Sequence, residues 1–114
     1  MKRRLLNILS ALSWVAIARI GAYCAAKSAA WSLTNSLRQE LAPSGIVVSA
    51  LHVGYMDTDM AKAVEAPKSD PADIARIAID GIEAGQAEII ADDTSRAVQA
   101  GLSGGVAALY PKVA

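Results

Sequence analysis

The amino-acid sequence predicts an α/β domain built around a parallel sheet. Three short apolar runs, at residues 4–10, 46–51 and 87–91, alternate with segments of helical periodicity at 21–41 and 71–85. Runs this short and this apolar are typical of strands that are covered on both faces, as the strands of a parallel sheet are. The alternation of strands with helices indicates the α/β class.

Composition supports one globular domain spanning residues 1–114. Hydrophobic residues make up 54% of the chain and charged residues 19%, which is typical of a folded rather than a disordered protein. The 11 basic residues balance the 11 acidic ones, and no basic stripe interleaved with aromatic residues occurs. We therefore expect no nucleic-acid partner.

The N-terminal segment has some features of a secretory signal. Met1–Arg4 is basic, and an apolar run follows it as far as Ile17. Against this interpretation, Arg19 ends the run early and bulky Tyr23 precedes Cys24, where a cleavage site needs a small residue. The run is also too short and too polar to span a membrane. Because Cys24 has no partner for a disulfide, we expect a cytoplasmic protein without a membrane partner.

Ser10 ends the first predicted strand, where ligands of parallel sheets bind. Its hydroxyl could donate a hydrogen bond to a carbonyl or alkoxide oxygen, or it could cap the loop that follows. Ser13 is the fallback candidate for the same role. The loop at 11–20 is expected to keep its apolar side chains, Trp14 among them, exposed or half-buried. Packing against a missing neighbour would explain these apolar side chains.

Tyr23 and Lys27 begin the long helix predicted at 21–41. A spacing of four residues puts the phenol and the ammonium on one helix face, a single turn apart. An ammonium near a phenol favours the phenolate, which makes such a tyrosine a usable general acid or base. Together with Ser10, the pair indicates proton transfer in carbonyl/alcohol chemistry.

The rest of the long helix is predicted to be amphipathic. Its apolar residues are mostly alanines, which would allow close approach to the sheet or to a second subunit. Pro43–Gly45 would end it. Cys24 is expected to be a packing residue. The apolar face comprises Ala22, Ala25, Ala26, Ala29, Ala30, Leu33, Leu37 and Leu41.

The C-terminal part carries polar residues for which a catalytic or metal-binding role must be compared with a structural role such as helix capping. His52 follows the second strand, and a lone histidine there is more often structural than catalytic or metal-binding. Asp70 or Ser69 is expected to cap the helix at 71–85. Asp92 and Asp93 could hold a divalent ion, but their position before a last helix favours capping.

Four motifs resemble the C-terminal half of the short-chain dehydrogenase/reductase family. They are Leu-Asn-Ile-Leu-Ser at 6–10, Gly-Ala-Tyr-Cys-Ala-Ala-Lys at 21–27, the segment at 37–48 that begins Leu-Arg-Gln-Glu-Leu, and His-Val-Gly-Tyr-Met-Asp-Thr at 52–58. The resemblance implies a partial Rossmann-like, doubly wound parallel sheet with flanking helices that lacks the N-terminal nucleotide-binding half. It also implies an NAD(P)-dependent oxidoreductase acting on a small alcohol or carbonyl substrate.

In that family Tyr23 would be the general acid/base and would also contact the cofactor, Lys27 would support it and hold the nicotinamide ribose, and Ser10 would orient the substrate oxygen. The loop at 11–20 would border the substrate pocket, so that its apolar residues favour a hydrophobic substrate. Backbone groups around Val53, Gly54 and Met56 would contact the nicotinamide carboxamide, and Thr58 the carboxamide or a phosphate. The chain departs from the family by carrying Val53 where a proline is usual, which makes the turn less rigid. The resemblance makes residues 57–68 a lid over cofactor and substrate.

The phosphate-binding glycine-rich turn and the residue that selects NAD or NADP do not occur in this sequence. Gly101–Gly105 follows a predicted helix rather than a strand and is no such fingerprint. An alternative function is therefore a catalytically inactive remnant that acts as an oligomerisation or interaction module. The expected partners are a second copy of the chain or a missing N-terminal half, which an open sheet edge would accept.

Overall fold

The structure, a computed structural model, describes residues 3–54 and 69–113. Within these residues the strands are β1 (Arg3–Ser10), β2 (Ile46–Val53) and β3 (Glu88–Ile90), in the spatial order β1-β2-β3. Both pairings are parallel, with Ser10 opposite Val53 and Leu51 opposite Ile89. The predicted α/β class with a parallel sheet is confirmed.

Four α-helices accompany the sheet in the described part of the chain. They are α1 (Gly21–Leu41), α2 (Pro71–Glu83), α3 (Asp93–Gly101) and the short α4 (Gly105–Leu109). Helix α1 has the limits that the sequence predicts, and it ends through a short turn whose Gly45 has a positive φ of 75°. Asp70 caps α2 by accepting the N–H of Ala72 at 3.1 Å, as predicted.

The hydrophobic core lies between the sheet and α2. Leu51 and Val53 of β2 pack there against apolar residues of α2 and β3. Gly81 of α2 is required by this packing, because a Cβ atom at Gly81 would lie only 2.6 Å from Cδ1 of the buried Ile89.

Helix α1 covers the other face of the sheet with polar side chains. Of the two expected partners of its apolar face, the sheet is therefore excluded for most of that face, and a second subunit stays a prediction. Thr34 is fully buried, where its hydroxyl donates to the carbonyl of Ala30 at 2.7 Å and accepts from Asn7 of β1 at 2.9 Å. Cys24 is also buried, as expected of a packing residue, whereas Leu33 is 60% exposed. Hydrogen bonds to the sheet orient this helix, so most of the alanine-rich stripe faces outward.

The segment between β1 and α1 is more ordered than the loop that the sequence predicts. A 3-10 turn at Ala11–Ser13 follows β1, and Trp14 is buried. Trp14 therefore differs from the prediction of exposure, while Ile17 and Ile20 are exposed as expected. No helix among residues 3–54 and 69–113 has the length and apolar character needed to cross a membrane.

Candidate active site

A cleft opens at the carboxyl ends of β1 and β2, where the sequence places Ser10 and Tyr23. It has a volume of about 420 Å³, within the range of roughly 300–1,000 Å³ that small-molecule sites occupy. Apolar side chains form most of its surface. Its lining residues are Ser10, Ala11, Leu12, Val15, Ile17, Ile20, Tyr23, Gly54, Thr94 and Val98.

Ser10 both caps the turn after β1 and lines the cleft. Its Oγ accepts the N–H of Leu12 at 3.0 Å, and its own N–H donates to Oγ of Ser13 at 3.3 Å. A serine hydroxyl has one donor and two acceptor positions, so the capping bond leaves its proton free for an oxygen in the cleft. The two interpretations of Ser10, cap and ligand for a substrate oxygen, are thus compatible.

Ser13 does not share this position. It is buried, with its hydroxyl bonded to the Ser10 backbone and its carbonyl accepting from Oγ of Ser28 at 2.9 Å. These bonds tie the turn to α1. The fallback candidate therefore has a structural part in holding Ser10 in place.

Tyr23 and Lys27 come together on one face of α1, as their spacing predicts. Tyr23 lies in the first turn of the helix, is 53% exposed and lines the cleft. Nζ of Lys27 lies 5.6 Å from the centroid of the Tyr23 ring, within the range of a cation–π contact. The structure thus brings the phenol into the same cleft as the Ser10 hydroxyl, with an ammonium beside it.

Of the four residues expected to contact the nicotinamide carboxamide or a phosphate, two are described. Val53 ends β2 with its side chain in the hydrophobic core, so that only its backbone is available to a ligand. Gly54 lines the cleft, and its N–H donates to Oδ2 of Asp92 at 2.6 Å. Met56, Thr58 and the expected lid at 57–68 lie outside the described residues.

Behind the cleft lies a polar network that supports the structural interpretation of His52. The His52 ring is fully buried, stacks on Trp14 with 3.8 Å between ring centroids, and hydrogen-bonds Glu88 through Nε2. Glu88 also accepts from Nε1 of Trp31 at 3.1 Å. Partial burial acts to raise the pKa of Glu88. The hydrogen bonds from His52 and Trp31 and the charges of His52 and Arg38 outweigh it, and they hold the pKa below its usual value.

The described residues contain no cluster of His, Cys, Asp and Glu side chains that could hold a metal ion. Asp92 caps α3, since its Oδ1 accepts the N–H of Ser95 at 2.8 Å. Asp93 is exposed and pairs with Arg96. The capping interpretation is confirmed for Asp92, whereas Asp93 lies in the first turn of α3 and does not cap it.

Several residues of the cleft escape the sequence analysis because they come from the C-terminal segment. Thr94 and Val98 of α3 line the cleft, and Oη of Tyr110 accepts, at 2.7 Å, the N–H of Ala16, which stands between two lining residues in the sequence. The two ends of this last contact are 94 residues apart, so no local pattern could reveal it.

Comparison with known proteins places these features in a family. The family profile described as short chain dehydrogenase matches residues 2–69 of the chain. A 3-amino-tetrahydro-pyrrolizinone reductase from Xenorhabdus hominickii is 40% identical over 57 residues, which are 50% of this chain and 20% of that protein.

Among solved structures, a short chain dehydrogenase from Burkholderia cenocepacia in complex with NADP aligns with a TM-score of 0.90 and 28% identity. The alignment covers 97% of this chain and 48% of that one. A putative short-chain dehydrogenase from Novosphingobium aromaticivorans, at 22% identity and a TM-score of 0.75, shows the same fold over 94% of this chain and 38% of that one. The chain thus spans half or less of the length of these relatives.

Proposed function

Because the chain belongs to the short-chain dehydrogenase family, we propose that it carries the acid–base half of an NAD(P)-dependent oxidoreductase that interconverts an alcohol and a carbonyl. The observation that carries the proposal is the shared cleft. Ser10 and Tyr23 both line it, and Lys27 contacts the Tyr23 ring. These are the groups that a substrate oxygen needs when it gains or loses a proton.

The residues fit a nicotinamide at this cleft. Gly54 presents backbone without a side chain to the cavity, and the remaining wall is mostly apolar, as suits a flat ring. The volume suits a ring and a small substrate side by side. Val53 and Gly54, with Met56 and Thr58 beyond them, would hold the carboxamide, and Lys27 would hold the ribose.

In the reducing direction Tyr23 donates its phenolic proton to the substrate oxygen as the carbonyl carbon is reduced. Ser10 donates a hydrogen bond to that oxygen, which fixes its position beside Tyr23. The positive charge of Lys27 stabilises the phenolate that remains. A nicotinamide held by the residues named above would supply the hydride in this direction and accept it in the other. In oxidation the phenolate takes the proton back from the alcohol.

The apolar wall of the cleft favours a hydrophobic substrate. Val15, Ile17, Ile20 and Val98 place aliphatic surface next to Ser10 and Tyr23, and burying such surface yields about 25 cal/mol per Å². An alkyl or aryl ketone would gain this contribution, whereas a sugar would leave hydroxyls without partners.

The proposal is tested by titrating the chain with NADH and with NADPH while Trp fluorescence is recorded. Lys27→Ala should weaken binding about tenfold, the effect of losing a charge-assisted hydrogen bond. Lys112→Ala, the same change at an exposed site, is the matched control. Tyr23→Phe should keep binding but lower turnover of a hydrophobic ketone by roughly 10²–10⁴-fold, the usual contribution of general acid–base catalysis. Equal nucleotide affinity of wild type and Lys27→Ala would contradict the proposed site.

A second candidate function, an interaction module, is favoured by the open side of the sheet. Within the described residues β1 has a strand neighbour on one side only, and Ile8 on this strand is 59% exposed. A second copy or a nucleotide-binding half would cover this surface. A folded chain that binds neither nucleotide but assembles through β1 would favour this function over catalysis.

A further inference from the structure

The carboxylate of Asp92 joins two elements that meet at the cleft. Asp92 follows β3 and caps α3, with Oδ1 accepting the N–H of Ser95 at 2.8 Å. Its other oxygen, Oδ2, accepts the N–H of Gly54 at 2.6 Å. Gly54 lies 38 residues earlier in the chain, directly after β2. One side chain therefore connects the start of α3 to the backbone of the cleft wall.

Capping by itself does not require this arrangement. An N-cap needs one acceptor, and serine, threonine or asparagine supplies it as well as aspartate does. A carboxylate has two separate oxygens that both accept, whereas serine, threonine and asparagine each have one acceptor oxygen. Aspartate can therefore hold two backbone N–H groups that approach from different directions, one on each oxygen. Hydrogen bonds to an ionised acceptor are also about twice as strong as neutral ones.

We propose that Asp92 is a positioning residue for the cofactor, because it sets the orientation of the Val53–Gly54 peptide; the inference rests on the proposed function. In a trans peptide the N–H and the preceding C=O point in opposite directions within one rigid plane. Holding the Gly54 N–H on Asp92 therefore directs the Val53 carbonyl to the opposite side. That carbonyl belongs to the backbone expected to contact the nicotinamide carboxamide.

The packing around Gly54 restricts the same peptide. A Cβ atom at Gly54 would lie 3.2 Å from Oδ2 of Asp92 and 3.6 Å from Cβ of Thr94. A side chain at Gly54 would push the Asp92 carboxylate away by a few tenths of an ångström, so glycine favours this close approach. Gly54 thus packs against the start of α3. By this inference, Asp92 supplies the restraint that the usual proline at position 53 would supply.

The test compares Asp92→Asn with Asp93→Asn. Asparagine keeps the cap, so the stability of α3 should hardly change, but it has one acceptor oxygen and one NH₂ donor. One of the two backbone N–H groups then loses its partner. Asp93→Asn is the matched control, because it makes the same chemical change one residue away. The Asp93 side chain is exposed and bonded to Arg96.

Calorimetric titration with NADH and NADPH and hydrogen exchange of the Gly54 amide are the measurements. We expect Asp92→Asn to weaken nucleotide binding about tenfold, to speed exchange at Gly54 and to lower the melting temperature by several degrees without unfolding the chain, as the loss of one charge-assisted hydrogen bond implies. Asp93→Asn should bind as the wild type does. Equal affinity of wild type and Asp92→Asn would overturn this inference and leave the proposed function standing. A wild-type chain that binds neither nucleotide would overturn both, so the two failures are distinguishable.

Discussion

Glu88 is the residue on which the polar network between α1 and the sheet converges. It accepts hydrogen bonds from His52 and Trp31, and Arg38 lies 3.8 Å from its Oε1. His52 in turn supports Trp14 in the segment that follows Ser10. A substitution at Glu88 should therefore change the packing of the segment that follows Ser10, although Glu88 itself does not line the cleft.

We predict that Glu88→Gln lowers the free energy of unfolding at neutral pH by about 2 kcal/mol, the range for hydrogen bonds that involve a charged group. The pKa of Glu88 is lower in the folded chain than its ordinary 4.5. The ionised carboxylate therefore stabilises the fold above that value, and the contribution is lost as the pH falls from about 4.5 through the folded-state pKa.

Urea unfolding at pH 7 and at pH 3 measures this contribution. The difference between wild type and Glu88→Gln should be large at pH 7 and small at pH 3. Asp80→Asn, on the exposed side of α2, is a control that changes the same charge without a partner in the network. A difference that persists undiminished at pH 3 would contradict the assigned role of the charge.

At the scale of elements, the C-terminal segment holds the wall of the cleft. Tyr110, just after α4, accepts the N–H of Ala16 through its hydroxyl at 2.7 Å. This contact fixes the loop that carries Val15 and Ile17. Residues 92–110 are thus attached next to the cleft at both of their ends. Asp92 accepts the N–H of Gly54, and Tyr110 accepts the N–H of Ala16.

We predict that Tyr110→Phe loosens this loop without unfolding the chain. The phenyl ring keeps the packing, while the loss of one hydrogen bond of about 1 kcal/mol should raise the exchange rate of the Ala16 amide about fivefold. Affinity for a hydrophobic ketone should fall and affinity for NADH should not. Ser103→Ala removes an exposed hydroxyl of the same segment and should leave both unchanged. Unaltered exchange at Ala16 in Tyr110→Phe would show that the contact does not restrain the loop.

The elements themselves were largely predictable from sequence because their signals are local. The limits of α1 follow from its periodicity and from the Pro43–Gly45 stop, and Asp70 is a recognisable cap. The buried face of α1 was not predictable from apolar spacing, since Thr34 and Arg38 turn toward the sheet to make hydrogen bonds. The sequence likewise places Ser10, Tyr23 and Lys27 in one region.

The remaining parts of the site depend on long-range contacts. Trp14 is buried because it stacks on His52, and no sequence pattern near Trp14 predicts that partner. Asp92 is recognisable as a cap, but its second oxygen reaches Gly54 only because β3 lies beside β2 in the sheet. Cytoplasmic location stays a prediction from the sequence.

At the scale of the whole molecule, two surfaces offer places for a partner. The first is the groove of about 320 Å³ between β1 and α2, which has an almost wholly apolar lining that includes Ile8 and Ile79. The second is the outward stripe of α1 around Leu33, which is 60% exposed. Apolar residues on an edge strand or along a helix favour association.

We predict that the wild-type chain self-associates at micromolar concentration and that one of two substitutions abolishes this. Ile8→Lys places a charge beside the open edge of the sheet, and Leu33→Lys places one on the α1 stripe, so each disrupts one surface. Sedimentation velocity of the two variants identifies which surface is used. A wild-type chain that sediments as a monomer would exclude self-association through either.

The burial of Cys24 makes the only sulfur nucleophile of the chain a chemical reporter on the motif that contains it. Its side chain is 2% exposed although its neighbours in the Tyr23–Lys27 segment face outward. A thiol reagent can therefore alkylate it only during moments when the first turns of α1 separate from the sheet. The rate of alkylation therefore reports how often this part of α1 opens. A compound that binds Tyr23 and Lys27 should lower that rate. The protein thus contains its own assay for ligands of this cleft, which needs neither turnover nor a chromophore.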